Sequence, residues 1–260
     1  MGFKDEVRKG KRFEFGHNWR RFLSVLNDER IAEASKSLTE FLGVESLEGQ
    51  SFLDVGSGSG LFSLVARRLG GRVHSFDYDP QSVACTATLR ERYFGGDACW
   101  TVEAGSVLDE AYLDSLGRFD VVYAWGVLHH TGDMWRALDL VSKRVAAGGK
   151  LYIAIYNDDG AVSTHWLGIK RKYCALPRIL RFPYAVRVWT PIEWDYFKHY
   201  WRNKCPGDYF KLWSDYKKAR GMSRWHDMID WLGGYPYEYS SAERLVAFYE
   251  ARGFSLIRLV

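Results

Sequence analysis

The 260-residue chain contains no apolar run approaching the roughly 20 residues that a membrane-spanning helix needs. Its four cysteines, Cys85, Cys99, Cys174 and Cys205, include no Cys-x-x-Cys pair. That spacing speaks against a zinc frame or a disulfide scaffold and for reduced thiols, and no metal site is expected. No apolar core follows the opening Met-Gly-Phe-Lys-Asp-Glu, so no secretory signal is read and the cytoplasm is the expected compartment. Internal repeats and low-complexity tracts are also missing. With 47% hydrophobic and 26% charged residues, general disorder is excluded, and the length suits one large α/β domain with an insertion.

Acids become scarce in one place. Between Gly160 and Trp225 four of them (Glu193, Asp195, Asp208, Asp215) stand against 14 Lys and Arg, in a chain whose net charge is only +4. The stretch from Gly160 to Trp231 also holds seven of the 11 tryptophans. Such a segment can pack a small helical subdomain. It can also meet an anionic lipid surface, where aromatic rings favour the interface and each basic residue adds about 1 kcal/mol.

Residues 1–18 are polar and basic and read as a mobile arm. From Trp19 to Leu42 apolar residues recur at helical spacing, giving one helix or two short ones that stop at Gly43. Strands and helices then alternate. The expected strands are 51–55, 72–76, 99–103, 119–124 and 150–156. Helices are expected over 61–69, from Pro80 to about 93, and over 134–145. Strands separated by helices imply a Rossmann-like, mostly parallel sheet with helices on both faces. After Asn157 the alternation breaks for about 80 residues into an aromatic-rich segment expected to hold helical fragments. It resumes with a helix over 242–252 and a last strand over 254–260. The expected organisation is an N-terminal arm and helix (1–48), a nucleotide-binding core (49–157), a substrate or lid insertion (158–239) and the last helix and strand of the core (240–260).

The strongest chemical signal is Asp54-Val-Gly-Ser-Gly-Ser-Gly60 between a strand and a helix. Gly56, Gly58 and Gly60, with Ser57 between them, allow a tight turn and close approach of a ligand to bare backbone. The spacing differs from the G-x-G-x-x-G of dinucleotide sites. Asp54 would repel a pyrophosphate but attract the ammonium of a methionine moiety, which favours S-adenosylmethionine (SAM) over NAD. Asp77, at the end of the second strand and followed by Tyr78, is placed to accept both ribose hydroxyls. Asp79, just before Pro80, is a helix N-cap. Ser106 and Val107 follow the third strand at the same open edge, where adenine would lie.

Trp125-Gly-Val-Leu-His-His130 follows the fourth strand. His129 and His130 there are candidates for proton transfer near neutral pH, with at least one expected to be structural. Further on, His226, Asp227, Asp230 and Tyr235 could line a substrate pocket, or the segment could be a loop of capping acids and packed aromatics.

These residues resemble class I SAM-dependent methyltransferases. Leu53 to Gly60 is like their first motif, Phe76-Asp77 like their ribose-binding acid, and Val145-Ala-Ala-Gly-Gly-Lys-Leu151 like their L-x-P-G-G-x-L turn with Ala147 in place of proline. The likeness covers residues 19–157 and 240–260. Within that superfamily the chain is similar to ubiquinone-biosynthesis O-methyltransferases. Arg30 looks like their arginine that reaches the SAM carboxylate, and His226-Asp227 like a pair before the last helix. The resemblance implies O-methylation of a small aromatic or lipid-like acceptor, with His130 or His129 as base and His226 or Asp227 as further candidates. Two other readings stay open: a tRNA-modifying methyltransferase, since stacking and phosphate contact use aromatics among cations, and a SAM-binding protein without catalysis. The family adds a seventh, antiparallel strand that the sequence does not show before Val260. The segment 254–260 then either pairs directly with the fifth strand or leaves that strand's edge open, and self-association through an open edge is expected.

Overall fold

A computed structural model describes residues 2–220 and 224–260, without the side chains of 217–220 and 226. Three helices come first: α1 (Phe3–Arg8), α2 (Gly16–Leu23) and α3 (Asp28–Leu42). The Asn27 side chain accepts the Arg30 N–H at the start of α3, and Gly43 ends it in the left-handed region. The alternating part follows as β1 (Ser51–Val55), α4 (Leu61–Arg68), β2 (Arg72–Asp77), α5 (Pro80–Phe94), β3 (Trp100–Ala104), α6 (Glu110–Leu116), β4 (Phe119–Trp125), α7 (Met134–Ser142) and β5 (Val145–Ala154). Asp79 caps α5 by accepting the Gln81 N–H, as its place before Pro80 implies. Among the described residues the insertion is four helices, α8 (Ala161–Ala175), α9 (Arg178–Arg202), α10 (Pro206–Arg220) and α11 (Arg224–Gly233), and α12 (Ala242–Glu250) returns to the sheet.

The sheet is parallel, in the order β3-β2-β1-β4-β5. The winding reverses between β1 and β4, which opens a crevice at the carboxyl ends of those strands. Neighbours on β1 point to opposite faces, as a two-residue period requires. Phe52 packs with Leu38, Leu64 and Trp100 under α3, α4 and α5. Leu53 packs with Phe76, Leu138 and Val141 under α7, with α12 residues Leu245 and Phe248 at its border. Both faces are thus covered, which is why β1 and β4 read as nearly apolar runs.

Two expectations fail. Residues 2–18 are not a mobile arm. Phe3 is buried, and Phe13 packs into a third core built by the insertion helices, with Tyr173, Cys174 and Leu232. Gly233 makes room for it: a Cβ there would lie 2.1 Å from the Phe13 ring. Arg12 adds the polar tie. Its guanidinium pairs with Glu6 at 2.6 Å and donates to the His130 and Thr131 carbonyls at 2.8 and 3.2 Å. Anchors scattered among charged residues carry no helical period, so the sequence conceals them.

The second failure is the last strand. Residues 254–260 form no ladder with β5, and Leu256, Ile257 and Leu259 are exposed. After α12 the Phe254 N–H bonds back to the Tyr249 carbonyl and turns the chain away. Arg258 then donates to the Glu40 carbonyl, one of the unpaired carbonyls at the C-terminal end of α3, and lies over the Phe41 ring. A strand exists only through its ladder bonds, and these contacts hold the segment elsewhere.

Arg12→Ala should therefore loosen the whole N-terminal segment. It leaves Glu6 half-buried without its cation, at a cost of roughly 2–3 kcal/mol. Hydrogen exchange should rise across residues 3–23 while β1 and β4 stay protected. Unchanged exchange in 3–23 would show that the arm is held by the aromatic anchors alone.

Candidate active site

The glycine turn after β1 is fastened to β2. The Gly56 and Ser57 N–H groups donate to the Phe76 carbonyl at 2.8 and 3.1 Å. The Gly58 N–H donates to Asp77 Oδ2 at 2.9 Å, and the Asp79 N–H to Asp77 Oδ1 at 2.8 Å. Asp77 is thus fixed at the mouth of the crevice. Burial pushes its carboxyl up to about 6, against the opposing pull of the two N–H donors. Gly58 has φ of 55°, and a Cβ there would be 3.0 Å from the Trp19 indole. The floor of the site is bare backbone, and α2 lays an aromatic ring over it.

Asp54 is buried below the turn, accepting from the Ser63 hydroxyl, which also pairs with Ser75 Oγ at 2.8 Å. Burial raises its pKa to about 7, with the hydroxyl pulling the other way. Ser106 and Val107 border the same crevice, as do Tyr78 and Trp125. Trp125 is stacked with Tyr123 at 6.2 Å.

The two histidines differ sharply. His129 is buried against Tyr156, ring centroids 4.0 Å apart, and does not line the cavity. Burial and the neighbouring His130 and Lys170 hold its pKa well below the usual imidazole range. His130 does line the cavity. Its Nδ1 is 2.6 Å from the Pro236 carbonyl. A carbonyl can only accept, so Nδ1 carries the proton and Nε2 keeps its lone pair. Burial, Lys170 and Arg12 depress its pKa to about 3, so the ring stays neutral at physiological pH.

The segment carrying Pro236 is itself fixed to the core. The Glu238 carboxylate accepts the N–H groups of Gly132 and Met134 at 3.0 Å, capping α7 from a distance, and the Glu238 N–H donates to the His129 carbonyl. Glu238 and Arg12 lie far in sequence from any motif, and no spacing signal marks them.

One cavity of about 1060 Å³ joins these parts. Of the expected site residues, Asp54, Gly56, Ser57, Gly58, Asp77, Tyr78, Ser106, Val107, Trp125, His130 and Asp227 line it. Gly60 does not: its Cβ position faces Thr86 of α5, so it serves helix packing. Arg30 does not either. Its guanidinium turns onto the α2–α3 connection and donates to the Val25 carbonyl at 3.0 Å, because the short link brings that carbonyl within reach. Asp230 lines the cavity, whereas the Tyr235 carbonyl is engaged by the Phe13 N–H on the N-terminal side. His226 has its side chain outside the described residues. The sequence reading missed the N-terminal wall of Phe13, Phe15, Asn18 and Trp19; it expected an aromatic wall from the insertion without singling out Trp166, Trp189 and Trp231, which line the cavity.

Residues 53–151 match the family model described as a methyltransferase domain. Over this span the chain carries a methyltransferase domain. The matched span runs from β1 into β5, which contains the glycine turn, Asp77 and both histidines. The chain is 29% identical over 135 residues to a ubiquinone biosynthesis O-methyltransferase of Xanthomonas euvesicatoria, covering 52% of each chain. It is 31% identical over 116 residues to the ribosomal protein L11 methyltransferase of Methylococcus capsulatus, covering 44% of this chain and 36% of that one. The chain spans about half the length of the ubiquinone-biosynthesis relatives it matches. The solved structure of PKMT2 from Rickettsia typhi superposes with a TM-score of 0.54 over 79% of this chain and 38% of that one, at 14% identity, a likeness of fold.

Behind the cavity wall sits Lys170, fully buried. Its ammonium donates to the Trp231 carbonyl and lies 3.9 Å from the Trp231 ring centroid and 4.8 Å from that of Tyr237. Burial lowers its pKa to about 7. The unfolded chain keeps the proton up to about pH 10.4, so the folded state gains stability as pH rises from 7 towards that value. Lys170→Met should abolish this alkaline gain and raise the melting temperature at pH 7 by several degrees. A parallel pH–stability profile for the two proteins would refute the buried, depressed lysine.

Proposed function

We propose that the chain transfers the methyl group of SAM to an oxygen of a small acceptor, aromatic or lipid-like. The observation that carries this reading is His130, held in its Nδ1–H form by the Pro236 carbonyl in the wall of the cavity that also contains the glycine turn and Asp77. The residues suit the cofactor. The Gly56-Ser57-Gly58 turn offers backbone without side chains, Asp77 has acceptor capacity beyond its two N–H bonds, and Asp54 supplies a negative charge beneath. Ser106, Val107 and Trp125 would complete the walls. SAM supplies an electrophilic methyl group on a sulfonium.

The chain's own work is to hold two reactants in line, which in well-oriented systems can contribute about 7–11 kcal/mol of barrier reduction. The insertion, residues 158–239, forms the pocket wall and lid, and its indoles keep water out. His130 Nε2 accepts the acceptor's proton, while the Pro236 carbonyl stabilises the imidazolium through Nδ1–H. Because protonation of the free ring begins only towards pH 3, the acid limb of a pH–rate profile should not come from His130. The ubiquinone-biosynthesis relatives support oxygen as the methylated atom.

A second reading concerns access. Ile179, Phe182 and Trp201 of α9 are 83%, 64% and 63% exposed, on the helix that also carries Arg178, Arg187 and Arg202. Exposed apolar residues among cations favour peripheral contact with an anionic lipid surface. Sedimentation with phosphatidylglycerol vesicles should show salt-sensitive binding, and recovery of all protein in the supernatant at low salt would exclude it.

Two substitutions test the main reading. Asp77→Ala should weaken SAM binding about tenfold or more in calorimetry, through two lost ribose hydrogen bonds. Wild-type affinity would remove Asp77 from the cofactor site. His130→Ala should lower turnover about a hundredfold or more with little change in SAM affinity. A wild-type rate would place the base elsewhere.

A further inference from the structure

Among the described residues the charges around the cavity do not balance. Five carboxylates line it, those of Asp54, Asp77, Asp79, Asp227 and Asp230, against the guanidiniums of Arg12 and Arg224. Both cations are already engaged. Arg12 pairs with Glu6, and Arg224 pairs with Glu193 at 2.7 Å while lying over the rings of Tyr196, Trp213 and Tyr216. Three of the acids are accounted for by the turn and by α5: Asp54 through Ser63, Asp77 through Gly58 and Asp79, and Asp79 through Gly16 and Gln81. Asp227 and Asp230 remain. Each accepts one bond from a neutral donor, the Tyr216 hydroxyl and the Asn18 amide. Among the described residues neither makes an ion pair, and Arg21, whose charge acts on Asp230, does not line the cavity.

The two acids stand three residues apart on α11, so they share a face, and Trp231 follows on that face four residues after Asp227. Trp231 continues an aromatic wall: its ring lies 5.5 Å from Trp166, which lies 5.8 Å from Trp189. Among the described residues this pair of like charges, next to three indoles, has no cation paired with it in the cavity lining. An anionic acceptor would add to the repulsion, and a neutral one would leave it. An ammonium or guanidinium group would neutralise the pair and meet the negative faces of the rings.

We propose that the acceptor carries a cationic group, an amine or guanidine, and that Asp227 and Asp230 with the Trp166–Trp189–Trp231 wall select it. This rests on the methyl-transfer reading of the same cavity. Burial first and Asp227 second raise the pKa of Asp230 to about 7, with Arg21 and the Asn18 amide pulling the other way. Lys170, on the Trp231 ring from outside the cavity lining, leaves the carboxylates facing the acceptor unpaired.

The test uses the whole chain with S-adenosylhomocysteine bound. Two probe sets are titrated by calorimetry, each in ammonium, acetylated and carboxylate forms: tyramine, N-acetyltyramine and 3-(4-hydroxyphenyl)propionate, then decylamine, N-acetyldecylamine and decanoate. The expected result is that the ammonium form of at least one set binds about tenfold or more tightly than its neutral and anionic partners. In Asp227→Asn and Asp230→Asn variants that preference should shrink, with S-adenosylhomocysteine affinity unchanged as the control for folding. Equal or better binding of the neutral or anionic forms, no binding of either amine, or a preference that survives the double variant would overturn the proposal. Wild-type protein that binds the amines but not S-adenosylhomocysteine would keep the cation site and overturn the methyl-transfer reading.

Discussion

The carboxylate of Asp77 is the contact on which the site depends. It accepts the N–H of Gly58 from one strand's turn and the N–H of Asp79 from the next helix's entry, and so locks the glycine turn against the end of β2. The arrangement is unfavourable in isolation. Asp54 is buried and Asp77 half-buried, and desolvation raises their pKa values to about 7 and about 6. An acid whose folded pKa is raised ionises first in the unfolded chain, so these two contribute a loss of stability as pH rises from about 4 to 7. The sheet tolerates this because its two apolar faces supply the stability. A charged cofactor bound above them would recover part of the loss, which links occupancy of the cavity to stability of the domain.

The rest of the site is assembled from pieces remote in sequence, and they converge on His130. Arg12 from the N-terminal segment holds its carbonyl, Pro236 orients its ring, and Glu238 fixes the Pro236 segment to the start of α7. Phe13 in turn inserts into the insertion's own core. The N-terminal helices and the helical insertion are therefore coupled through packing as well as through the cavity they enclose, and neither is an appendage of the sheet.

Legibility in the sequence follows the range of the forces. The glycine turn, Asp77, the Asp79 cap and the βα alternation rest on local backbone demands, and each left a residue type at a fixed place. The N-terminal wall was hidden because Phe3, Phe13 and Phe15 act as single anchors among charges. Arg30 was misplaced because a local carbonyl, that of Val25, competes with any ligand for its guanidinium. The segment 254–260 is apolar enough to read as a strand, but composition cannot reveal that Arg258 is drawn to the end of α3. Lys170 gave no sign at all: a lysine at a helical position reads as solvated until its surroundings are known.

The central claim is that one cavity is enclosed jointly by the glycine turn of the sheet and by α2 from the N-terminal segment. Hydrogen–deuterium exchange with and without S-adenosylhomocysteine tests it directly. The structure predicts that the ligand slows exchange in residues 55–60 and 105–107 and, together with them, in residues 12–23. Protection confined to the sheet, with the N-terminal helices unchanged, would show that Trp19 and its neighbours do not close the site and would contradict the account.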